Sequence, residues 1–176
     1  MAGIGVDRMG DLADAAGANL LRLENLDTDL RPSAVALAAT RAALDDDAAN
    51  SYLPFVGQDR LRAAAAAHVS RLSGVAYEGR RNALVAAGGL SGILNVLLAL
   101  VEVGDEVILT DPTYIGLINR VRLAGGVPKL VPFVRDGGGW TLDRDALSAA
   151  VGPRTRGFLL MSPSMPSGGV LSLADW

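Results

Sequence analysis

The chain has no cysteine, one histidine, one lysine and few aromatic residues, and each shortage excludes a kind of site or a kind of core. Without cysteine there is no disulfide framework, thiol nucleophile or thiolate metal site. His68 cannot hold zinc by itself, and its Ala-rich surroundings predict a surface or half-buried helix residue. Aromatic residues make up 5% of the 176, so alanine, leucine and valine must build the core.

The charge pattern excludes a nucleic-acid footprint. The net charge is −3, from 16 basic and 19 acidic residues that are mixed along the chain, whereas nucleic-acid binding needs clustered basic residues. The N-terminus carries Asp7, Asp11 and Asp14 and has no basic segment before an apolar run, so it does not resemble a signal peptide. We therefore predict a cytoplasmic protein with no nucleic-acid partner and no metal.

An uncharged run of 19 residues, Ala83 to Val101, is long enough to span a bilayer. Its three glycines, Ser91 and Asn95 weaken that interpretation, and its helical periodicity begins only after Gly89. The Val-Ile-Leu strand that follows is typical of a parallel sheet buried on both faces. We therefore predict that the chain has no membrane partner.

The same run predicts a strand–helix–strand unit. Ala83 to Ala87 has the composition of a short buried strand, and the apolar residues after Gly88-Gly89 recur at helical spacing as far as Val101. A second strand, Glu106 to Thr110, ends at Asp111-Pro112. Free N–H groups and the positive end of the helix dipole face out of the Gly-Gly turn, which suits a phosphate. Such turns also occur without a ligand, because glycine permits close packing, so the residues alone leave both interpretations open.

Helix and strand patterns alternate from residue 60 onward, which indicates an α/β three-layer sheet. The end of the chain, Ser172 to Trp176, resembles the first turn of a helix that does not continue, so we expect the front portion of a longer protein. The remaining predicted elements are helices at 33–44, 60–73, 113–123 and 143–151, strands at 127–134 and 156–161, a flexible turn at 136–139 and a loop at 162–169.

Four motifs, in this order, resemble those of the class I/II aminotransferases, the fold-type I enzymes that use pyridoxal phosphate. YLPFVGQDRLR (52–62) is similar to the family's Y-x-x-x-x-G-x-x-x-L-R segment, and Gly88-Gly89-Leu90 to its phosphate-binding turn. GDEV followed by DPTY (104–114) is similar to the G-D-E-V…D-P-x-Y pair, and SPSMPSG (162–168) to the N-P-x-N-P-T-G loop. The resemblance extends from about Leu20 to the end of the chain.

The resemblance implies a three-layer αβα fold with a mainly parallel sheet, the large domain of the pyridoxal-phosphate transferases, here incomplete and preceded by an N-terminal helical arm. Residues 1–50 would form that arm and a small-domain or substrate-side segment. Residues 51–176 would form a truncated cofactor-binding domain. The family also uses cis bonds in its active-site loops, which predicts cis bonds at Asp111-Pro112 and Met165-Pro166.

The resemblance also implies roles for particular residues. Gly88, Gly89 and Leu90 would hold the cofactor phosphate, and Tyr114 would stack on its pyridine ring. Tyr52 would reach the phosphate of a second subunit, which implies a homodimer. Asn25 falls where the family's N-terminal loop approaches the substrate.

The chain departs from the family's pattern in the SPSMPSG loop (162–168) and in its lysine content. Met165 stands where the family has the Asn that binds the cofactor's 3-hydroxyl, and a thioether is a poor hydrogen-bonding partner. Ser162 and Ser167 replace the first Asn and the Thr. The family's Schiff-base lysine has no counterpart, since Lys129 lies in a strand context (VPKLVP) that predicts a surface residue. No catalytic residue is therefore predicted within this chain.

The function implied by the resemblance is the transfer of an amino group between an amino acid and a 2-oxo acid, by a parent enzyme of which this chain alone would be inactive. Three alternatives remain open: a β-lyase or decarboxylase on the same scaffold, a non-catalytic remnant, and the ligand-sensing domain of a regulator. Such regulators usually carry a basic N-terminal winged-helix domain, which the residues before Tyr52 do not resemble.

Overall fold

The sheet is built around a strand that is buried from Glu106 to Thr110. The computed structural model describes residues 5–17, 19–24 and 28–176 of the chain. These residues divide into two compact units, one within residues 1–55 and one formed by residues 56–176. The boundary lies slightly beyond the predicted 50/51, and the roles predicted for the two parts stay predictions.

The first unit contains two helices, α1 (Gly5–Ala16) and α2 (Ala34–Leu44), and neither has a buried residue. The side-chain amide of Asn50 donates to the carbonyls of Ala43 and Leu44 at 3.0 and 3.1 Å, so it adds hydrogen bonds to the last carbonyl groups of α2. α2 confirms the helix predicted at 33–44, whereas α1 was not among the predicted elements, and the role of this part as an arm stays a prediction.

From α5 onward the second unit has the helix and strand order that the sequence predicts, apart from one additional strand, β3. Its elements are α3 (Asp59–Ser73), α4 (Gly79–Asn82), α5 (Gly89–Leu100), β1 (Glu106–Asp111), α6 (Ile115–Leu123), β2 (Val127–Asp136), β3 (Gly139–Leu142), α7 (Arg144–Ala150) and β4 (Thr155–Phe158).

The four strands of this unit are ordered β3-β2-β1-β4. β1 runs parallel to both β2 and β4, and β3 pairs with β2 as an antiparallel hairpin. Because successive side chains of a strand point to opposite faces, Val107 and Leu109 lie on one face of the sheet and Ile108 lies on the other. Val107 and Leu109 pack with α5 and α6, whereas Ile108 packs with Ala150 of α7. Helices therefore cover both faces, as the predicted three-layer class requires.

The predicted strand at Ala83–Ala87 is wrong. These residues form no sheet pairing, and Leu84 and Val85 are 59% and 38% exposed. Two hydrogen bonds join their main chain to other segments, from Val85 N–H to Val56 O at 3.1 Å and from Nε of Arg62 to Ala83 O at 2.7 Å. The physical reason is that a strand needs a partner, and no strand of the described residues lies beside this segment.

The hairpin strand β3 was missed, because the three glycines at 137–139 favour a flexible turn and hide the short strand that starts within them. The last strand is also shorter than predicted, at 155–158, although Leu159 N–H still donates to Ile108 O at 2.8 Å. The prediction of cis bonds at Asp111-Pro112 and Met165-Pro166 is confirmed, and Ser162-Pro163 is cis as well.

Candidate functional site

The Gly-Gly turn leads directly into α5. Gly88 has φ 88° and ψ 164°, a region that essentially only glycine occupies. The first helical hydrogen bond runs from Gly92 N–H to Gly88 O at 3.1 Å. The N–H groups of Gly89, Leu90 and Ser91 therefore have no acceptor among the described residues. A Cβ added at Gly88 or Gly89 would meet nothing within 4 Å, so the space beside the two glycines is open.

A buried arginine holds the segment that leads into this turn. Arg62 of α3 is 7% exposed. Its Nε donates to Ala83 O at 2.7 Å and its Nη2 to Arg80 O at 2.6 Å, while its Nη1 pairs with Asp59 at 3.1 Å. The guanidinium fork therefore ties α3 to both ends of the stretch from Arg80 to Ala83.

Gly57 brings a second segment against the same stretch. It has φ 91°, and a Cβ at this position would lie 2.6 Å from the Cβ of Val85. The hydrogen bond from Val85 N–H to Val56 O joins the same two segments. Two residues of the YLPFVGQDRLR motif, Gly57 and Arg62, thus support the chain that precedes the Gly-Gly turn.

Tyr114 lies just beyond the carboxyl end of β1 and precedes α6, whose first turn includes the bond from Leu117 N–H to Tyr114 O at 2.9 Å. Its half-buried side chain packs against the core cluster that α5, β1 and α6 share, and Leu90 packs against the same cluster. Because α5 runs back toward the start of β1, the Gly-Gly turn and Tyr114 both belong to the carboxyl end of the sheet.

The loop that carries Met165 is tied into a compact turn. Ser164 N–H donates to Gly169 O, and Gly168 N–H to Ser164 O, both at 2.7 Å. The hydroxyl of Ser162 accepts from Leu171 N–H at 3.0 Å, so the residue at the first Asn position of the family motif braces the loop. Met165 is half-buried.

Ser164 was not singled out by sequence reasoning. It is 3% exposed, and its hydroxyl has no hydrogen-bond partner among the described residues. It occupies the variable position of the loop motif, so the pattern contains no signal for it.

Two further residues were predicted for the site, Asn25 and Tyr52, and the structure does not test either prediction. Asn25 lies outside the described residues. Tyr52 belongs to the first unit, and its side chain is fully exposed. His68 is an exposed residue of α3, as predicted.

Lys129 lies in β2, where its Nζ is 3.1 Å from Oε2 of Glu106. The same carboxylate accepts from Nη2 of Arg154 at 2.6 Å. Hydrogen bonds from Arg154 first, and from Lys129 second, lower the pKa of Glu106 below its usual value. Glu106 starts β1 and Asp111 ends it, so this charged cluster is at the opposite end of the strand from Tyr114.

A cavity of about 440 Å³ lies under α5 beside β4. Its lining is apolar except for Arg156, whose guanidinium donates to Leu100 O. Among the described strands β4 pairs only with β1, so the cavity borders a free sheet edge. Such a surface can pack against other apolar residues, but its lining offers no set of polar groups that could bind a polar ligand or catalyse a reaction.

The structure describes no group of three or more His, Asp or Glu side chains that could hold a metal ion. Within the same described ranges, every helix is too short or too polar to cross a bilayer.

The chain is similar to known aminotransferases in sequence. The model of the family "Aminotransferase class I and II" matches residues 17–176. The probable N-succinyldiaminopimelate aminotransferase DapC of Mycobacterium tuberculosis is 43% identical over 126 residues, which are 72% of this chain and 32% of that protein. The LL-diaminopimelate aminotransferase of Gloeobacter violaceus is 30% identical over 169 residues, 96% of this chain and 43% of its own.

Solved structures agree with the sequence comparisons. The N-succinyldiaminopimelate aminotransferase of M. tuberculosis superposes with a TM-score of 0.90 at 37% identity, over 99% of this chain and 44% of that one. The aspartate aminotransferase of Thermus thermophilus gives 0.85 at 27% identity, over 97% and 44%. The predicted fold class is therefore confirmed, and the chain spans less than half the length of these relatives.

Proposed function

Because this chain belongs to the class I and II aminotransferases, we propose that it is the N-terminal portion of a pyridoxal 5′-phosphate-dependent transaminase and forms part of its cofactor site. The parent enzyme moves an amino group between an amino acid and a 2-oxo acid. The cofactor, when bound, supplies an electron sink for the amino acid's α-carbon. The residues of this chain hold and orient it, and the lysine that moves the proton lies outside the chain, so the chain by itself is inactive.

The observation that carries the proposal is the Gly88-Gly89 turn. Three successive N–H groups, with no acceptor in the part of the chain that the structure describes, stand at the positive end of a 12-residue helix, and the space beside Gly88 and Gly89 is open. A phosphate oxygen accepts such N–H groups, and its negative charge is favoured by the helix dipole. The residues present therefore fit the phosphate end of the cofactor.

The fit at the ring end is partial. Tyr114 lies at the same end of the sheet and offers an aromatic face, while Leu90 adds apolar contact beside the turn. Met165 offers no hydrogen bond to the 3-hydroxyl, and leaving a buried polar group unpaired costs about 1–3 kcal/mol. We therefore expect the chain to bind the phosphate better than the substituted ring.

The proposed partners are an amino acid, a 2-oxo acid and a second copy of the chain. The fully exposed side chain of Tyr52 supports a role outside its own subunit, at the phosphate of the partner. Asn25 is proposed as a substrate contact on the resemblance alone.

The names of the relatives suggest which substrates to test first. The M. tuberculosis relative is named for N-succinyldiaminopimelate and the T. thermophilus relative for aspartate, which are both amino acids with an additional carboxylate. We propose a biosynthetic transamination of such an amino acid. A cytoplasmic location stays a prediction.

The experiment is a titration of the chain with inorganic phosphate, followed by amide NMR. We expect the signals of Gly89, Leu90 and Ser91 to shift together and to saturate. In the Gly88→Ala variant the turn carries a backbone strain of about 1–3 kcal/mol, so binding should weaken by about 5- to 160-fold.

Gly138→Ala is the matched control, because this turn glycine has an ordinary φ and open space around its Cα. It should bind phosphate as the unchanged chain does. Phosphate that shifts other amides while Gly89 to Ser91 stay in place would contradict the proposal.

A further inference from the structure

The second residue of α6 is a buried glycine beneath an aromatic ring. A Cβ built on Gly116 would lie 2.9 Å from Cζ and 3.0 Å from Cδ1 of Tyr114, and closer still to Cε1. Carbon atoms do not approach one another so closely, so one edge of the ring occupies the space that any side chain at 116 would need.

This contact exists because Tyr114 precedes the helix. Residues two apart within a helix do not face each other, but Tyr114 has an extended conformation with φ −65° and ψ 122°. Its side chain therefore turns back across the first turn of α6 and reaches the Cα of Gly116.

Nothing in the backbone at position 116 requires glycine. Its φ is outside the left-handed region, and glycine is less favourable than alanine in a helix. Gly10 of α1 shows the contrast, because a Cβ there would meet only the end of the Arg22 side chain at 3.8 Å. What glycine provides at position 116 is room for the ring.

We propose that Gly116 is a positioning residue for Tyr114: the missing side chain at 116 sets where the aromatic ring stands at the carboxyl end of β1. The consequence for cofactor binding rests on the proposed function, in which that ring stacks on the pyridine ring. Any larger residue at 116 pushes the ring of Tyr114 away from this place while leaving the Gly88-Gly89 turn intact.

The position of the ring is tested without any ligand. In the unchanged chain the Hα and amide signals of Gly116 should carry a ring-current displacement, and Tyr114→Leu should remove it. Signals of Gly116 that are the same with and without the tyrosine ring would overturn the inference.

A double-mutant cycle tests whether the glycine is present for the ring. Gly116→Ala should lower the melting temperature of the chain, and Tyr114→Ala should reverse the sign of that effect, because alanine is favoured in a helix once the ring is gone. If Gly116→Ala alone does not fold, the double variant should recover folding. Equal losses in both backgrounds would overturn the inference, and Gly10→Ala should leave the Tyr114 signals unchanged.

The consequence for binding is tested with two probes, pyridoxine 5′-phosphate and inorganic phosphate. Pyridoxine 5′-phosphate carries the same ring and phosphate but no aldehyde, so it forms no imine with amines. Gly116→Ala should weaken pyridoxine phosphate binding by about 2- to 13-fold, the range that one aromatic contact represents, and leave phosphate binding unchanged.

The outcomes separate the inference from the proposed function. Unchanged binding of pyridoxine phosphate by Gly116→Ala refutes the inference while the proposed function stands. If the unchanged chain binds neither probe, the proposed function fails together with the effect on binding, and the ring-current and double-mutant results still decide whether Gly116 positions Tyr114.

Discussion

Replacing Arg62 should destabilise the chain far more than replacing its exposed neighbour Arg60. The guanidinium of Arg62 is buried and donates to two carbonyls, Ala83 O and Arg80 O. Hydrogen bonds from a charged group contribute about 1.5–3 kcal/mol each. Arg62→Met removes both, and since Asp59 keeps its pairing with Arg80, we expect a loss of about 3–6 kcal/mol.

Arg62→Lys gives a sharper comparison because the positive charge remains. A lysine ammonium has no planar fork and cannot reach both carbonyls in the same geometry. We expect a loss of about 2 kcal/mol, which corresponds to roughly 4–8 °C in melting temperature for a chain of this size.

The assay is urea and thermal unfolding of the full chain, followed by circular dichroism at neutral pH and at two salt concentrations. Arg60→Lys, an exposed change in the same helix, should unfold as the unchanged chain does. Because the acceptors are neutral carbonyls, most of the loss from Arg62→Lys should persist in high salt. An Arg62→Lys variant as stable as the unchanged chain, or a loss that salt abolishes, would refute the reasoning.

Three further predictions concern the remaining charges and the apolar edge. Pyridoxal phosphate followed by borohydride should leave no stoichiometric adduct on Lys129, because its ammonium is paired with Glu106 at the far end of β1; a stoichiometric adduct mapped to that residue would contradict this. The pKa of Glu106 is lowered below 4.5 by Arg154 and Lys129, so its contribution to stability is complete above the unfolded-state value and is lost as the pH falls through the lower folded-state value. Glu106→Gln should therefore flatten the acid side of the stability profile, and an unchanged profile counts against the ion cluster. The free edge of β4 and the apolar cavity beside it should make the chain associate, whereas a monodisperse monomer with a sharp, reversible two-state melt would argue otherwise.

Elements with their own hydrophobic period could be predicted from the sequence. The spacing of apolar residues after Gly89 predicted α5 within a residue of its observed ends, and the continuous Val-Ile-Leu run predicted β1 as the buried strand. The predicted helix at 60–73 is observed as α3, and Gly74 ends it with φ 71°, the left-handed conformation that glycine favours. The order of the motifs predicted the family and, with it, the three-layer fold. These features are local, because a helix or a buried strand shows its period in the residues that form it.

The tertiary structure decided the features that depend on partners far along the chain. Ala83 to Ala87 has the composition of a strand, yet it stays unpaired, because a strand forms only beside another. Sequence reasoning placed Arg62 in a motif, but its two carbonyl acceptors are visible only where α3 meets residues 80–83. The contact between Gly116 and the ring of Tyr114 depends on the extended conformation before α6. The spacing of apolar residues determines which element a segment forms. Strand pairing, the hydrogen bonds of Arg62 and the position of the Tyr114 ring depend instead on which atoms the folded chain brings within a few ångströms.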